Sequence, residues 1–133
     1  SQPDLLFVYG SYDDIHTIIK NTTLQFVHES EVNQQSALTA PDAPVTVTDD
    51  DMANLIHLVN VSMPQSYSAT DKEIHYRPGG MVRITDGPFK DVIGRVARIH
   101  TQTRVVVTIP GIISYATTYI PKHQMQPPRI PTR

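Results

Sequence analysis

The side chains that could do chemistry are few and scattered along the chain. Asp49, Asp50 and Asp51 precede His57, a set of carboxylate and imidazole groups that suits a divalent metal ion. Asp51 and His57, however, are six residues apart and would not share one face of a helix. The three aspartates are better explained as first-turn residues of a helix capped by Thr48, where carboxylates meet the positive end of the helix dipole. An acidic-site metal hydrolase is therefore the weakest of the functional hypotheses.

Other catalytic patterns are missing from the sequence. The chain has six histidines without metal-ligand spacing and no cysteine, so disulfides, thiol catalysis and Cys-based zinc sites are excluded. Ser66 and Ser68 have no base nearby in sequence, and Gly79-Gly80 precedes a strand pattern instead of the helix that a phosphate loop requires. We therefore expect a protein that is not an enzyme, with no cofactor and no metal. The lack of cysteine suits the cytoplasm, and no apolar run is long enough to span a membrane.

The first half of the chain reads as a small α+β unit. Leu5–Tyr9 and Leu24–Val27 are short apolar runs typical of strands. Between them, a helix is predicted from the Ser11 cap to Lys20, and residues 29–44 are predicted to be a loop. A second helix is predicted over Asp49–Asn60. Its apolar face, by helical spacing, comprises Met52, Leu55, Ile56 and Val59.

The second half alternates in the manner of β-strands. Residues 62–77 have the composition of a linker, and the last residues, 127–133, are Pro-rich and predicted to be frayed. Between them, short strand patterns recur at roughly 10-residue spacing with Gly and Pro breaks, as in a small all-β barrel. These strand patterns lie at Met81–Thr85, Val92–Ile99, Val105–Ile109 and Ile113–Ile120.

Charge divides the chain at the same place. The net charge of −2 combines a first part, up to Arg77, with three basic and eleven acidic residues, and a second part with eight basic and two acidic residues. The two parts therefore carry net charges of −8 and +6. This asymmetry marks a boundary between two units of different character.

The segment GMVRITDGPFKDVIGRV, residues 80–96, resembles a KOW motif. Gly87-Pro88 would form the turn after the first barrel strand, Phe89 would project from the loop, and Gly94 would restart the next strand where a side chain is awkward. The pattern through Ile120 is similar to the carboxy-terminal barrel of NusG-like transcription elongation factors. A KOW motif also occurs in ribosomal proteins, so the first half must separate the two possibilities.

That first half resembles the later part of the NusG amino-terminal (NGN) domain. The similarity lies in Pro3–Val8, the helix that follows it, Asn21–Val27, and Ala43–Val45 leading into the second helix. Among NusG-like proteins the chain is most similar to the UpxY-type antiterminators of capsular-polysaccharide operons. The resemblance implies a partial NGN α/β-sandwich domain at 1–61 without its first strand and helix, a linker at 62–77, and an SH3-like KOW barrel at 78–126.

The resemblance also implies partners. In the family, the NGN domain grips the clamp helices of the largest subunit of RNA polymerase, and the matching positions here are Leu5 and Phe7. Apolar residues on the KOW loops dock either the termination factor Rho or a ribosomal protein. By position, those residues are Phe89, Val92, Ile109, Pro110 and Ile112. The alternative interpretation is that Val92 and Ile109 fill the barrel interior, and the same alternative applies to Phe89.

The excess of basic residues in the second half suggests contact with nucleic acid. Phosphates attract clustered cations, although the same charges also fit an ordinary solvated surface facing the acidic half. The candidate contacts are Lys90, Arg95, Arg98 and Arg104. The sequence therefore predicts an antitermination regulator of NusG type, with a ribosome-associated or RNA-binding KOW module as the alternative.

Overall fold

The computed structural model describes residues 5–32, 42–61, 65–68, 72–109 and 111–128, with only the backbone described at 65–68. The chain divides into two compact units, Ser1–Thr46 and Val47–Arg133. The predicted linker at 62–77 thus lies inside the second unit. The predicted domain boundaries and the NGN assignment stay predictions, because a compact unit is not the same as a family domain.

The first unit contains two short helices, α1 (Tyr12–Ile19) and α2 (Glu29–Val32). As predicted, Ser11 caps α1, since its side-chain oxygen accepts from the Asp14 amide at 3.2 Å. The helix is held against the following segment by stacked rings of Tyr12, His16 and Phe26. At α2, the amide and the ring of His28 each lie 3.1 Å from a Glu31 carboxylate oxygen, which lowers the pKa of that carboxyl.

Two predicted strands of the first unit are not strands. Leu5–Tyr9 and Leu24–Val27 have no assigned strand structure, and the pairing in this unit is one isolated bridge between His28 and Pro44 within the described residues. A strand pattern becomes a strand only where a neighbouring strand accepts its hydrogen bonds. Beside Leu24–Val27 the structure describes a backbone bond from the Val45 amide to the Val27 carbonyl at 2.7 Å, which is too little pairing for a strand.

The second unit combines one helix, α3 (Asp49–Val61), with an antiparallel sheet. The predicted cap is present, since the Asp51 amide donates to the Thr48 hydroxyl at 3.2 Å. The sheet order is β1-β5-β4-β3-β2-β6, consistent with the predicted small barrel. Its strands are β1 (Gln65–Ser68), β2 (His75–Ile84), β3 (Ile93–Ile99), β4 (Gln102–Ile109), β5 (Ile113–Ala116) and β6 (Met125–Gln126), with a 3₁₀ turn at Lys122–Gln124.

The strand predictions in this unit are confirmed for β3, β4 and β5, and the segment predicted as a linker contains strand structure. Residues 62–77 include β1 and the beginning of β2. Their polar sequence hid this, because β1 pairs only with β5, more than 40 residues away. In β2, the register shifts between Tyr76 and Met81, where Gly79 and Gly80 adopt positive φ. Pro64, several serines and mixed charge gave residues 62–77 the composition of a linker.

Both faces of the central strand β4 are covered. Val105, Val106 and Val107 are all buried, and successive strand residues point to opposite faces. One face carries a core cluster of Ala97, Ile99, Val106 and Ala116, against which Ile74 packs. The apolar face of α3 differs from the prediction, because its buried residues are Leu55 and Leu58 whereas Ile56 and Val59 are exposed.

Candidate functional site

The predicted KOW docking residues do not form an exposed patch. Phe89, Val92 and Ile109 are 3%, 0% and 2% exposed, and Ile112 is half-buried. Pro110 lies outside the described residues. Three of the five positions therefore match the alternative interpretation, in which the side chains fill the barrel interior. Any docking through them would require the loop to open.

The loop between β2 and β3 folds these side chains inward. The Ile84 amide donates to the Val92 carbonyl at 2.9 Å, and the Asp91 amide donates back to the Ile84 carbonyl at 2.7 Å. Inside that closed loop, the Val92 amide donates to the Phe89 carbonyl at 3.1 Å. At the loop's end the Arg83 guanidinium donates to the Asp91 carboxylate at 3.2 Å. These local hydrogen bonds hold the Phe89 side chain beneath the loop and the Val92 side chain in the core.

Helix α3 binds the main chain of the same loop. The Asn54 side chain accepts from the Ile93 amide at 2.8 Å and donates to the Ile93 carbonyl at 2.6 Å. One turn further along, the His57 ring nitrogen lies 2.7 Å from the Lys90 carbonyl. A side-chain amide that satisfies both main-chain groups of one residue acts like a short piece of neighbouring strand. The loop is therefore held by the helix as well as by its own turn.

Replacing Asn54 should loosen this attachment. In Asn54→Ala, both main-chain groups of Ile93 lose a part-buried partner, and we expect the free energy of unfolding to fall by about 1–3 kcal/mol. Urea unfolding measures the loss, and hydrogen exchange at the Ile93 amide should accelerate. Asn60→Ala, an exposed position on the same helix, is the matched control and should change stability by less than about 0.5 kcal/mol. Equal losses in the two variants would contradict the attachment.

The four predicted nucleic-acid contacts are not gathered on one surface. On β3, Arg95 and Arg98 are three residues apart and so point to opposite faces of the sheet. Arg104 lies directly opposite Ala97 and shares the face of Arg95. Lys90 is exposed in the loop beside α3. The basic excess is thus divided among at least two faces of the sheet.

Each of the two exposed β3 arginines has a distinct setting. The Arg95 guanidinium carbon lies 4.2 Å from the ring centre of Tyr76, a cation–π contact. Arg98 lies directly opposite His75 of β2 and lines a depression with it. His75 belongs to this surface although sequence reasoning discarded all histidines for lack of metal-ligand spacing. The pairing of His75 with Arg98 across β2 and β3 would have been the useful signal, but that pairing is known only once the strand register is known.

In the first unit, the predicted polymerase-binding residues lie in an accessible segment. Leu5 is half-buried and Phe7 is 37% exposed. The segment continues with exposed apolar side chains at Leu6, Val8 and Tyr9. None of the residues that the structure describes in this unit is buried. Exposed apolar side chains in sequence are a feature of protein-binding surfaces.

The metal hypothesis finds no candidate site in the part of the chain that is described. No group of three or more His, Cys, Asp or Glu side chains there is arranged to hold a metal ion. The three aspartates of α3 occupy its first turn and are exposed. Among the described helices none has the length and apolarity needed to cross a membrane.

Comparison with known proteins finds a KOW motif at residues 78–109. The matched segment covers β2 from its fourth residue to its end, the loop carrying Phe89, and the strands β3 and β4 up to Ile109. No curated protein and no solved structure matches the chain. The motif fits either a NusG-like or a ribosomal KOW protein, as the sequence suggested.

Proposed function

We propose that this chain is part of a NusG-like transcription elongation and antitermination regulator, which binds RNA polymerase and suppresses pausing or termination on specific operons of the capsular-polysaccharide type. The proposal draws on the KOW motif together with the resemblance of the first half to an NGN domain. It contains no chemical step and needs no cofactor. Its partner would be the clamp helices of the largest polymerase subunit.

The observation that carries the proposal is the exposed apolar segment at Leu5–Tyr9. Its aromatic side chains are accessible, since Phe7 is 37% exposed and Tyr9 is 92% exposed. Residues of these types dominate the energy of protein–protein interfaces when a partner desolvates them. The KOW loops offer less apolar surface, because Phe89, Val92 and Ile109 are buried. Polymerase contact is therefore assigned to the first unit.

Removing two of these side chains should abolish polymerase binding. We expect the double variant Leu5→Ala, Phe7→Ala to retain at least about tenfold less polymerase than the unaltered protein in copurification, the effect of losing at least about 1.4 kcal/mol of interface energy. Leu24→Ala is the matched control, since Leu24 is also an exposed apolar residue of the first unit. Unchanged polymerase recovery in the double variant, with normal far-UV circular dichroism, would refute the assignment. If readthrough of the target operon is the same with and without the unaltered protein, the antitermination function itself is refuted.

A second candidate is a ribosome-associated or RNA-binding KOW module. The observation that favours it is the net charge of +6 on the second half, which includes the exposed Arg98 of β3. Neutralising phosphates releases counterions, so RNA binding by this module should weaken steeply as salt rises. In the first function, the NusG-like one, Rho or a ribosomal protein would be a further partner, docked on the barrel after the loop opens.

A further inference from the structure

A depression of about 490 Å³ lies at one end of the sheet in the second unit. It is formed where the segment preceding β2, the strand pair β2–β3 and the β3–β4 turn meet. All of its lining side chains are exposed, so the depression is open to solvent. They are Lys72, Glu73, His75, Arg98, His100 and Thr101.

The fold sets the positions of these side chains independently of one another. His75 and Arg98 are paired across β2 and β3, so their side chains lie on the same face of the sheet. His100 and Thr101 make the tight turn from β3 to β4, with positive φ angles of 49° and 68°. This two-residue connection, with φ positive at both positions, is the geometry of a type I′ hairpin. The turn thereby presents its imidazole at the same end of the sheet as Arg98.

The charged side chains of the described lining sum to a small positive charge. Among the described lining residues, Lys72 and Arg98 are permanent cations and Glu73 is an acid. The Glu73 carboxylate lies 3.1 Å from a His100 ring nitrogen. With both imidazoles neutral the lining therefore has a net charge of +1, and with both protonated it has +3. Imidazoles change charge between about pH 5 and pH 8.

From this juxtaposition we propose that the depression binds a phosphodiester group of an RNA backbone, held by Arg98 and Lys72 and strengthened by protonation of His75 and His100. A phosphodiester carries a single negative charge, which the net charge of +1 on the described lining attracts. The open shape lets a chain enter and leave on either side, as a backbone phosphate requires and a small anion does not.

The proposal supplies the contact site for the second candidate function, on which it rests, and it does not involve the polymerase-binding segment. It also differs from the predicted set of contacts, since Arg98 is the one of its four basic contributors that was among the candidate contacts. The other three, Lys72, His75 and His100, would carry little weight singly. Their convergence at one end of the sheet comes from the β2–β3 register and the β3–β4 turn.

The test measures binding of the full chain to a fluorescently labelled single-stranded oligouridylate by fluorescence anisotropy. Titrations at about pH 6 and about pH 8 are run at one ionic strength, and a salt series is recorded at each pH. We expect Arg98→Gln to weaken binding by about fivefold or more and to reduce the salt slope by about 0.7, the share of one phosphate contact on single-stranded nucleic acid. The double variant His75→Gln, His100→Gln should bind nearly equally at the two pH values.

The matched control is Arg95→Gln. It makes the same change of charge on the same strand, three residues away, on the opposite face of the sheet. We expect Arg95→Gln to reduce affinity by less than about twofold, the effect of a general loss of one positive charge. Thermal unfolding of both variants checks that β3 is intact.

Three results would overturn the proposal. Equal weakening by Arg95→Gln and Arg98→Gln would mean that RNA responds to overall charge and not to the depression. Displacement of the RNA by inorganic phosphate at an equal concentration of phosphate groups would identify a free-anion site. No binding of RNA by the unaltered protein, at either pH, would remove both this proposal and the second candidate function, while polymerase copurification would still decide the first.

Discussion

Gly94→Ala should unfold the sheet of the second unit or lower its free energy of unfolding by at least about 3 kcal/mol. An added Cβ at this position would lie 2.5 Å from the Val106 carbonyl oxygen and 2.7 Å from a methyl carbon of Val105. The nearest atom belongs to the backbone of β4, whose ladder with β3 begins at the next residue, where Arg95 pairs with Val106. Backbone cannot move aside without breaking that ladder, so the methyl group has no low-energy place to go.

The measurement is urea unfolding followed by far-UV circular dichroism. Gly80→Ala provides the control, because Gly80 has φ of +77° but no atom within 4 Å of an added Cβ. A non-glycine residue in that conformation costs about 1–2 kcal/mol. A Gly94→Ala protein as stable as Gly80→Ala would show that the strands move apart easily at this point. The two variants together separate crowding from backbone strain.

The awkwardness of a side chain at Gly94 was foreseeable from the sequence. A glycine that interrupts an alternating strand pattern, just after a turn, indicates close approach of another backbone. Which backbone approaches was not foreseeable, because the contact joins β3 to β4 across a register that sequence alone does not give. The helices were predictable for a similar local reason, since Ser11 and Thr48 are caps that act within one turn.

Pairing-dependent features are the ones that sequence reasoning missed. Residues 62–77 looked like a linker because β1 is polar and short, and its partner β5 is far along the chain. Leu5–Tyr9 was predicted as a strand from its composition, yet strand structure also needs a neighbour. The buried face of α3 was also displaced, with Leu58 buried in place of Ile56. Asn54 explains the displacement, because its bonds to Ile93 fix the rotation of the helix against the barrel.

For the candidate contacts with nucleic acid, the sequence likewise indicated the residue types but not their positions on the sheet. A count of basic residues identified the charged half of the chain, and Arg98 was among the positions selected. The strand period of two, however, sends Arg95 and Arg98 to opposite faces. The register then brings His75 beside Arg98, a neighbour 23 positions earlier that no sequence motif marks. Grouping of charges on a sheet depends on register, which is set by long-range pairing.

Phe89 is the residue for which the two interpretations of the KOW loop give opposite expectations. If Phe89 is a docking residue, Phe89→Ala should leave stability unchanged and remove a protein partner. If it is a core residue, as its 3% exposure indicates, the same change should lower the free energy of unfolding by about 3–5 kcal/mol. We expect the second result, since truncation of a buried ring loses its apolar contacts and leaves a cavity.

Urea unfolding of Phe89→Ala decides between these outcomes, with Phe89→Leu and Tyr119→Ala measured beside it. Leucine refills much of the ring volume, so Phe89→Leu should recover most of the lost stability. Tyr119 is an exposed aromatic of the same unit, and its truncation should cost less than about 1 kcal/mol. A loss below about 1 kcal/mol in Phe89→Ala would instead mean that the loop opens readily in solution. Phe89 would then be available to a partner, and the docking surface that the resemblance implies would be restored.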